Sequence, residues 1–221
     1  MRIQWLKSMA AMAGLLLISQ ATTRADVIYD NLGVLNAGSD SVASIFPRTG
    51  GPLSDSFSSG ITGGLLTSID LKMFAAIPSD GGTFSIALLS NSPGTPDNPG
   101  SVLTSIATSV ADSSLTTSLT DQHFNLSTPF LLAANTRYWV QLTQDSGSAQ
   151  WGYAVDDSGF GVGSELFSNS AGTFTNNQSP SAYQMRVSTT VPEPSSVILA
   201  GMGVMGIGLR QMLRGRRKQT N

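Results

Sequence analysis

Period-two alternation, repeated in short runs, is what most narrows the folds open to this chain. Ile69, Leu71, Met73 and Ala75 alternate with Ser68, Asp70, Lys72 and Phe74. Phe84, Ile86 and Leu88 alternate with Ser85 and Ala87. Tyr138, Val140 and Leu142 alternate with Trp139, Gln141 and Thr143, and Tyr183, Met185 and Val187 with Gln184, Arg186 and Ser188. Successive side chains of a strand point to opposite faces, so each run sets one face against a core and the other toward solvent. Val27-Ile28-Tyr29 predicts a first strand ahead of these. Clusters of Gly, Ser, Thr, Asn, Asp and Pro punctuate the runs, as in an all-β sandwich or barrel. The stretch from Asn91 to Gly100 predicts a long loop between strands. The body shows neither a helical period of useful length nor a fixed repeat. The expectation is an all-β, jelly-roll-like antiparallel β-sandwich over residues 26–190.

An apolar segment stands outside that pattern at each end. Arg2 and Lys7 precede an apolar run from Met9 to Ile18, and small residues follow in Ser19-Gln20-Ala21 and Thr23-Arg24-Ala25. This is the layout of a secretory signal peptide; a spanning helix needs about 20 apolar residues. Cleavage is expected after Ala25, because Asp26 opens a strand-like run, with Ala21 as the alternative. Residues 1–25 are thus assigned to the signal peptide.

At the other end, Pro192 and Pro194 fix their own φ and push their predecessors into extended geometry. Pro192-Glu193-Pro194 therefore reads as an extended, exposed segment open to a processing enzyme. Ser195 or Ser196 can cap a helix starting near Val197. The uncharged run Val197 to Leu209 would span only about 20 Å, against a hydrocarbon core of about 30 Å. Extended to Leu213, with Arg210 snorkelling, it gives a single marginal transmembrane helix over 197–213, suited to transient passage. Arg210, Arg214, Arg216, Arg217 and Lys218 form a basic tail expected on the cytoplasmic side. Gly201-x-Gly203-x-x-Gly206 formally matches a dinucleotide fingerprint, but no strand precedes it and no acid follows, so no nucleotide is assigned.

The order of these parts, Pro192-Glu193-Pro194, apolar run and basic cluster, resembles a PEP-CTERM sorting signal. The resemblance covers residues 191–221. It implies an exported protein handled by the secretion machinery and by an exosortase. It also implies a Gram-negative exopolysaccharide producer, an inner-membrane intermediate, and release to the cell surface or extracellular matrix. A second resemblance runs through the body. Tyr29-Asp30-Asn31-Leu32-Gly33, Phe84-Ser85-Ile86-Ala87-Leu88, Pro99-Gly100-Ser101-Val102-Leu103 and Thr136-Arg137-Tyr138-Trp139-Val140 occur in the order seen in choice-of-anchor domains, of the R type. Those are bacterial surface modules, and the resemblance carries no catalytic residues with it.

Charge narrows the partners further. Between Asp26 and Thr190, Arg48, Lys72, Arg137 and Arg186 stand against thirteen acids, leaving a net charge of −9. Such a body repels nucleic acid and anionic lipid. The chain has no cysteine, which removes disulfides, thiolate metal sites and a cysteine nucleophile. His123 is the single histidine; no G-x-S-x-G elbow accompanies it, and zinc sites of the usual kind are out. His123 is expected to be an exposed or edge-strand residue. Asp156-Asp157-Ser158-Gly159 reads as a turn. With Glu165, the two aspartates are the weak candidates for Ca²⁺, which wants six to eight oxygens; no other cofactor is expected. Trp139, Trp151 and Tyr153 are candidate sugar-stacking residues, weighed against burial of Trp139 between two covered faces of its strand. The expected protein is a non-enzymatic surface or matrix component associated with exopolysaccharide or biofilm. The alternative is a carbohydrate-binding, or less readily carbohydrate-cleaving, module in that layer.

Overall fold

The clearest alternation in the sequence becomes the strand on which the first sheet is assembled. In the computed structural model, which describes residues 24–42, 52–94, 97–144, 146–163, 165–170, 173–175 and 182–191, Ile69, Leu71, Met73 and Ala75 are all fully buried. Asp70, Lys72 and Phe74 on the opposite face are half-buried. Among the described residues twelve strands form: β1 Arg24–Asp30, β2 Asn36–Ser41, β3 Leu53–Ser58, β4 Gly64–Ala75, β5 Thr83–Ser92, β6 Asn98–Ala111, β7 Thr120–Leu132, β8 Arg137–Gln144, β9 Ala149–Ala154, β10 Phe167–Ser170, β11 Thr173–Thr175 and β12 Met185–Val191. A 3-10 turn, Asp112–Ser114, follows β6. The body, Ala25–Val191, is one compact unit. The expected tail helix, the Pro-Glu-Pro segment, the basic tail and the signal peptide as far as Thr23 lie outside the described residues. Among the described residues no helix is long and apolar enough to cross a membrane.

The strands make two six-stranded sheets. The first runs β1-β12-β4-β9-β2, with β7 also on β4; the second runs β11-β10-β3-β8-β5-β6. β7 pairs with β4 from Gly64 to Met73. A strand has two edges, so β12, paired over Leu65 to Leu71, and β9, paired over Met73 to Ala75, must share the other one. The pairings are nested. The β5–β6 hairpin is innermost, then come β4–β7, β3–β8, β2–β9 and finally β1–β12. The chain is thus a double ribbon folded across two sheets, the arrangement expected of a jelly-roll-like sandwich. β10 and β11 add a hairpin at one edge of the second sheet.

The inner faces share one hydrophobic core. Leu71, Met73, Trp151, Met185 and Val187 from the first sheet cluster with Leu53, Phe57, Ile86, Val140 and Leu142 from the second. Phe84 meets Phe124 edge-on at 6.2 Å and Phe130 meets Tyr138 at 6.4 Å, each pair joining the two sheets. Such aromatic contacts add to the gain from burial alone.

Two expectations about irregular segments change. Half of the stretch Asn91 to Gly100 is strand: Asn91 pairs with Pro99 and Ser92 with Asn98, so β5 runs to Ser92 and β6 starts at Asn98. Register shifts in the β5–β6 ladder let Pro99 and Gly100 sit in this edge strand, where missing donors and backbone kinks are tolerated. The first strand begins at Arg24 rather than Val27. A cut after Ala25 would therefore trim two strand residues, and a cut after Ala21 would leave β1 whole.

The turns at one end of the sandwich are tied together. Ser59, buried, donates through Oγ to the Ala133 carbonyl (2.6 Å) and accepts from the Thr136 N–H (3.0 Å). The Asn135 N–H donates to the Gly60 carbonyl (2.7 Å), and the Tyr138 hydroxyl accepts from the Ala133 N–H (2.8 Å). Gly63 completes the β3–β4 turn at φ +64°, where a Cβ would also collide with the Leu132 carbonyl. Only glycine meets both demands without strain.

Across the outer face of the first sheet, charges alternate from strand to strand. Arg186 stands opposite Asp70, and Asp70 opposite His123. Arg186 also pairs with Asp30 at 2.8 Å, and Lys72 with Asp121 at 3.1 Å. His123, on β7 at the sheet edge, contacts Asp70 through Nδ1 (2.6 Å) and the Asn125 amide oxygen through Nε2 (3.1 Å). Both neighbours accept, so the doubly protonated ring suits the site. Bonding to Asp70 raises the imidazole pKa above its ordinary value, against the opposing effect of partial burial. The stabilisation is then fully present below about pH 6.5 and is lost as pH rises through the folded value. Denaturant unfolding of the parent and His123→Ala should differ by less than about 1 kcal/mol at pH 6. That difference should vanish at pH 9; a gap that widens with pH would contradict the assignment.

Candidate functional site

Strand β12 ends at Val191, the residue before Pro192-Glu193-Pro194 in the sequence. On one edge β12 pairs with β4, from Met185 opposite Leu71 to Thr190 opposite Leu65. On the other lies β1. There the Tyr29-Asp30-Asn31-Leu32-Gly33 segment acts as a strap. The Asn31 side chain, buried at 1 % exposure, donates to the Tyr183 carbonyl (3.0 Å) and accepts from the Met185 N–H (2.7 Å). Its own backbone N–H donates to the Met185 carbonyl (3.1 Å). One side chain thereby satisfies backbone groups that the ladder has left behind, and buried groups of this kind must be paired. Asp30 turns the chain by accepting from the Leu32 N–H (3.1 Å) while it pairs with Arg186.

A second layer of buried polar groups locks the start of β12. Gln184 donates through Nε2 to the Val34 carbonyl (2.7 Å) and accepts from Asn36 (2.8 Å). The Trp151 indole N–H donates to the Gln184 carbonyl (3.0 Å). Tyr183 stacks on Trp151 with ring centroids 4.6 Å apart and donates its hydroxyl to Asp40 (2.6 Å). Burial, then the Asp40 carboxylate, pushes the Tyr183 phenol far up. Burial, then Asp55, Glu165 and Asp30, does the same to Tyr29. Both phenols stay neutral at any physiological pH and serve as hydrogen-bonding struts.

The candidate ligand residues are mostly internal. Trp151 is fully buried beside Tyr183 in the core. Trp139 is also fully buried, on the opposite face of β8, under Leu89 and Leu166. Its indole N–H donates to Asn91 (2.9 Å). Both indoles are fully buried in this structure. Tyr153 is half-buried against the core, and a Cβ on Gly38 would collide with its hydroxyl.

The calcium candidates divide. Asp156 and Asp157 are exposed, and Asp156 accepts from the Ser158 N–H (3.0 Å) in the expected turn. A bond from the Ser158 hydroxyl, with that from the Ser158 N–H, holds the Asp156 carboxyl below its usual value. Glu165 is buried at 1 % exposure, and both its oxygens are engaged. Oε2 accepts from Ser56 (2.6 Å) and Arg137 (3.0 Å), and Oε1 accepts from Ser58. Arg137 also reaches Asp97 at 2.8 Å, and Asn91 links Asp97 to Trp139. This network pins the β5–β6 hairpin loop and the segment before β10 over the second sheet. Sequence reasoning missed it, since partners up to 109 residues apart share no local pattern. Among the described residues no three acidic or histidine side chains are grouped as metal ligands.

Comparison with known proteins speaks to the tail. Residues 190–217 match the PEP-CTERM protein-sorting motif. The match takes in Pro192-Glu193-Pro194, the apolar run and the basic residues to Arg217, and it opens inside β12 at Thr190. Neither a curated protein nor a solved structure shows significant similarity to the chain. The motif implies an exported protein, processed by an exosortase and sorted to the cell surface in Gram-negative bacteria.

Proposed function

We propose that this chain is a non-enzymatic surface or matrix component whose β-body is cargo, displayed by exosortase processing in an exopolysaccharide layer or biofilm. The observation that carries this is the junction. The sorting motif begins at Thr190, still paired to Leu65 in the sheet, so the match overlaps the body's last strand. A body of the choice-of-anchor kind, a surface module with varied tails, suits that design. The Tyr29 to Gly33 segment that carries part of the resemblance straps the terminal strand in place, a structural use that asks for no substrate.

Processing is the test. Intact mass of protein recovered outside the cell should lack the first 21 or 25 residues and everything beyond the Pro-Glu-Pro region. A full-length chain held stably in the inner membrane would overturn the sorting reading. The same recovered protein, applied to a glycan array, should bind no defined sugar; selective binding would favour a carbohydrate-binding module instead.

A further inference from the structure

The end of the body that carries its termini differs in charge from the rest. β12 ends there at Val191, and the Thr189 hydroxyl contacts the Asp26 carbonyl of β1 at 3.4 Å. The incoming and outgoing chains therefore meet the body side by side. Thr190 faces Leu65, and Leu65 faces Leu131 on β7. The β3–β4 turn bearing Ile61 lies at the same end, tied to the β7–β8 turn through Ser59, Gly60 and Asn135. Ile61 is 83 % exposed and Leu131 70 % exposed. The turn is built and held, so Ile61 is displayed rather than left loose.

No Asp, Glu, Lys or Arg occurs in residues 56–69, 124–136 or 187–192, in a body with thirteen acids. The charges that border these stretches are Arg24 and Asp26 on β1, Glu193 two residues past β12, Arg137 at the start of β8, and Asp97 and Glu165, which pair with Arg137. Carboxylates facing an anionic membrane are repelled within a Debye length of roughly 8–10 Å. Most of the body's thirteen acids lie away from this end, so it is the one that can approach.

We propose that this end, through Ile61 and Leu131, rests in the bilayer interface while the unprocessed chain is held at the membrane. The inference rests on the sorting reading given above. Five residues separate Val191 from the apolar run that starts at Val197. Even fully extended they reach only about 18 Å, so a membrane-held tail keeps this end close to the lipid. Two exposed aliphatic side chains, each flanked in the chain by uncharged residues, can then enter the headgroup region.

The cysteine-free chain permits a direct test. Full-length protein carrying Ile61→Cys, Leu131→Cys, Leu35→Cys or Phe160→Cys is labelled with an environment-sensitive dye. Each sample is mixed with phosphatidylethanolamine–phosphatidylglycerol vesicles containing nitroxide-bearing acyl chains. Leu35 and Phe160 are comparably exposed at 73 % and 64 % but lie at the far end of β1, where Phe160 bridges Asp30. All four sites are on the surface, and circular dichroism checks that each variant keeps its β-structure. Labels at 61 and 131 should be quenched several-fold more than those at 35 and 160. A chain that floats with the vesicles while all four labels are quenched alike overturns the contact and leaves the tail's membrane role intact. A full-length chain that does not float at all overturns both.

Discussion

Asn31→Ala should lower the melting temperature of the body by on the order of 10 °C. The substitution strands the Tyr183 carbonyl and the Met185 N–H, both served by the Asn31 amide in a site 1 % exposed. Each orphaned buried group costs about 1–3 kcal/mol, against a total stability of about 5–15 kcal/mol for a single domain. Asn31→Asp should not rescue it: the carboxylate still accepts from Met185 but faces the Tyr183 carbonyl with no proton to offer. The measurement is thermal unfolding followed by far-ultraviolet circular dichroism. Parent-like melting of Asn31→Ala would show that water replaces the amide and that the strap is dispensable.

Arg137→Met should be comparably damaging. Glu165 would stay buried with only the Ser56 and Ser58 hydroxyls for company. Removing one partner of a buried ion pair costs about 3–5 kcal/mol. The double variant Arg137→Met/Glu165→Gln should recover much of that loss, because the stranded charge goes with its partner. In denaturant unfolding the double variant should therefore be more stable than Arg137→Met alone. Additive losses would mean that the two side chains act independently and that the network does not pin the loop before β10.

The sequence made the central strands legible and the peripheral ones hard to see. β4, β5, β8 and β12 each carry alternating buried apolar residues on one face. β3 escaped notice because Asp55, fully buried, takes the place between Leu53 and Phe57 where an apolar residue would mark the alternation. In β7 the period breaks midway: the step from Asn125 to Phe130 faces only the step from Ser68 to Leu66, so the strand changes phase. The burial of Trp139 on an outer face depends on Leu166 arriving from another part of the chain, and no local pattern encodes that. The Tyr29 to Gly33 segment stood out by resemblance, while its task as a strap needed the partner strand, 154 residues away. Glu165 reads in the sequence only as an acid, while in the fold its bonding neighbours are an arginine and two serines.

The nesting of the ribbon has a consequence for the order in which the protein can be made. β5 and β6 are neighbours in sequence, but the outermost pair cannot form until the last strand has arrived. Closing contacts between distant residues is slow, because chain entropy is lost before the contacts repay it. Until its last strand is available, the chain lacks the piece that joins β1 to β4 in the first sheet. Folding completes only once β12 is in place, and the sorting motif opens within that strand at Thr190. Any truncation that removes the sorting motif together with β12 therefore also removes the capacity to close the fold.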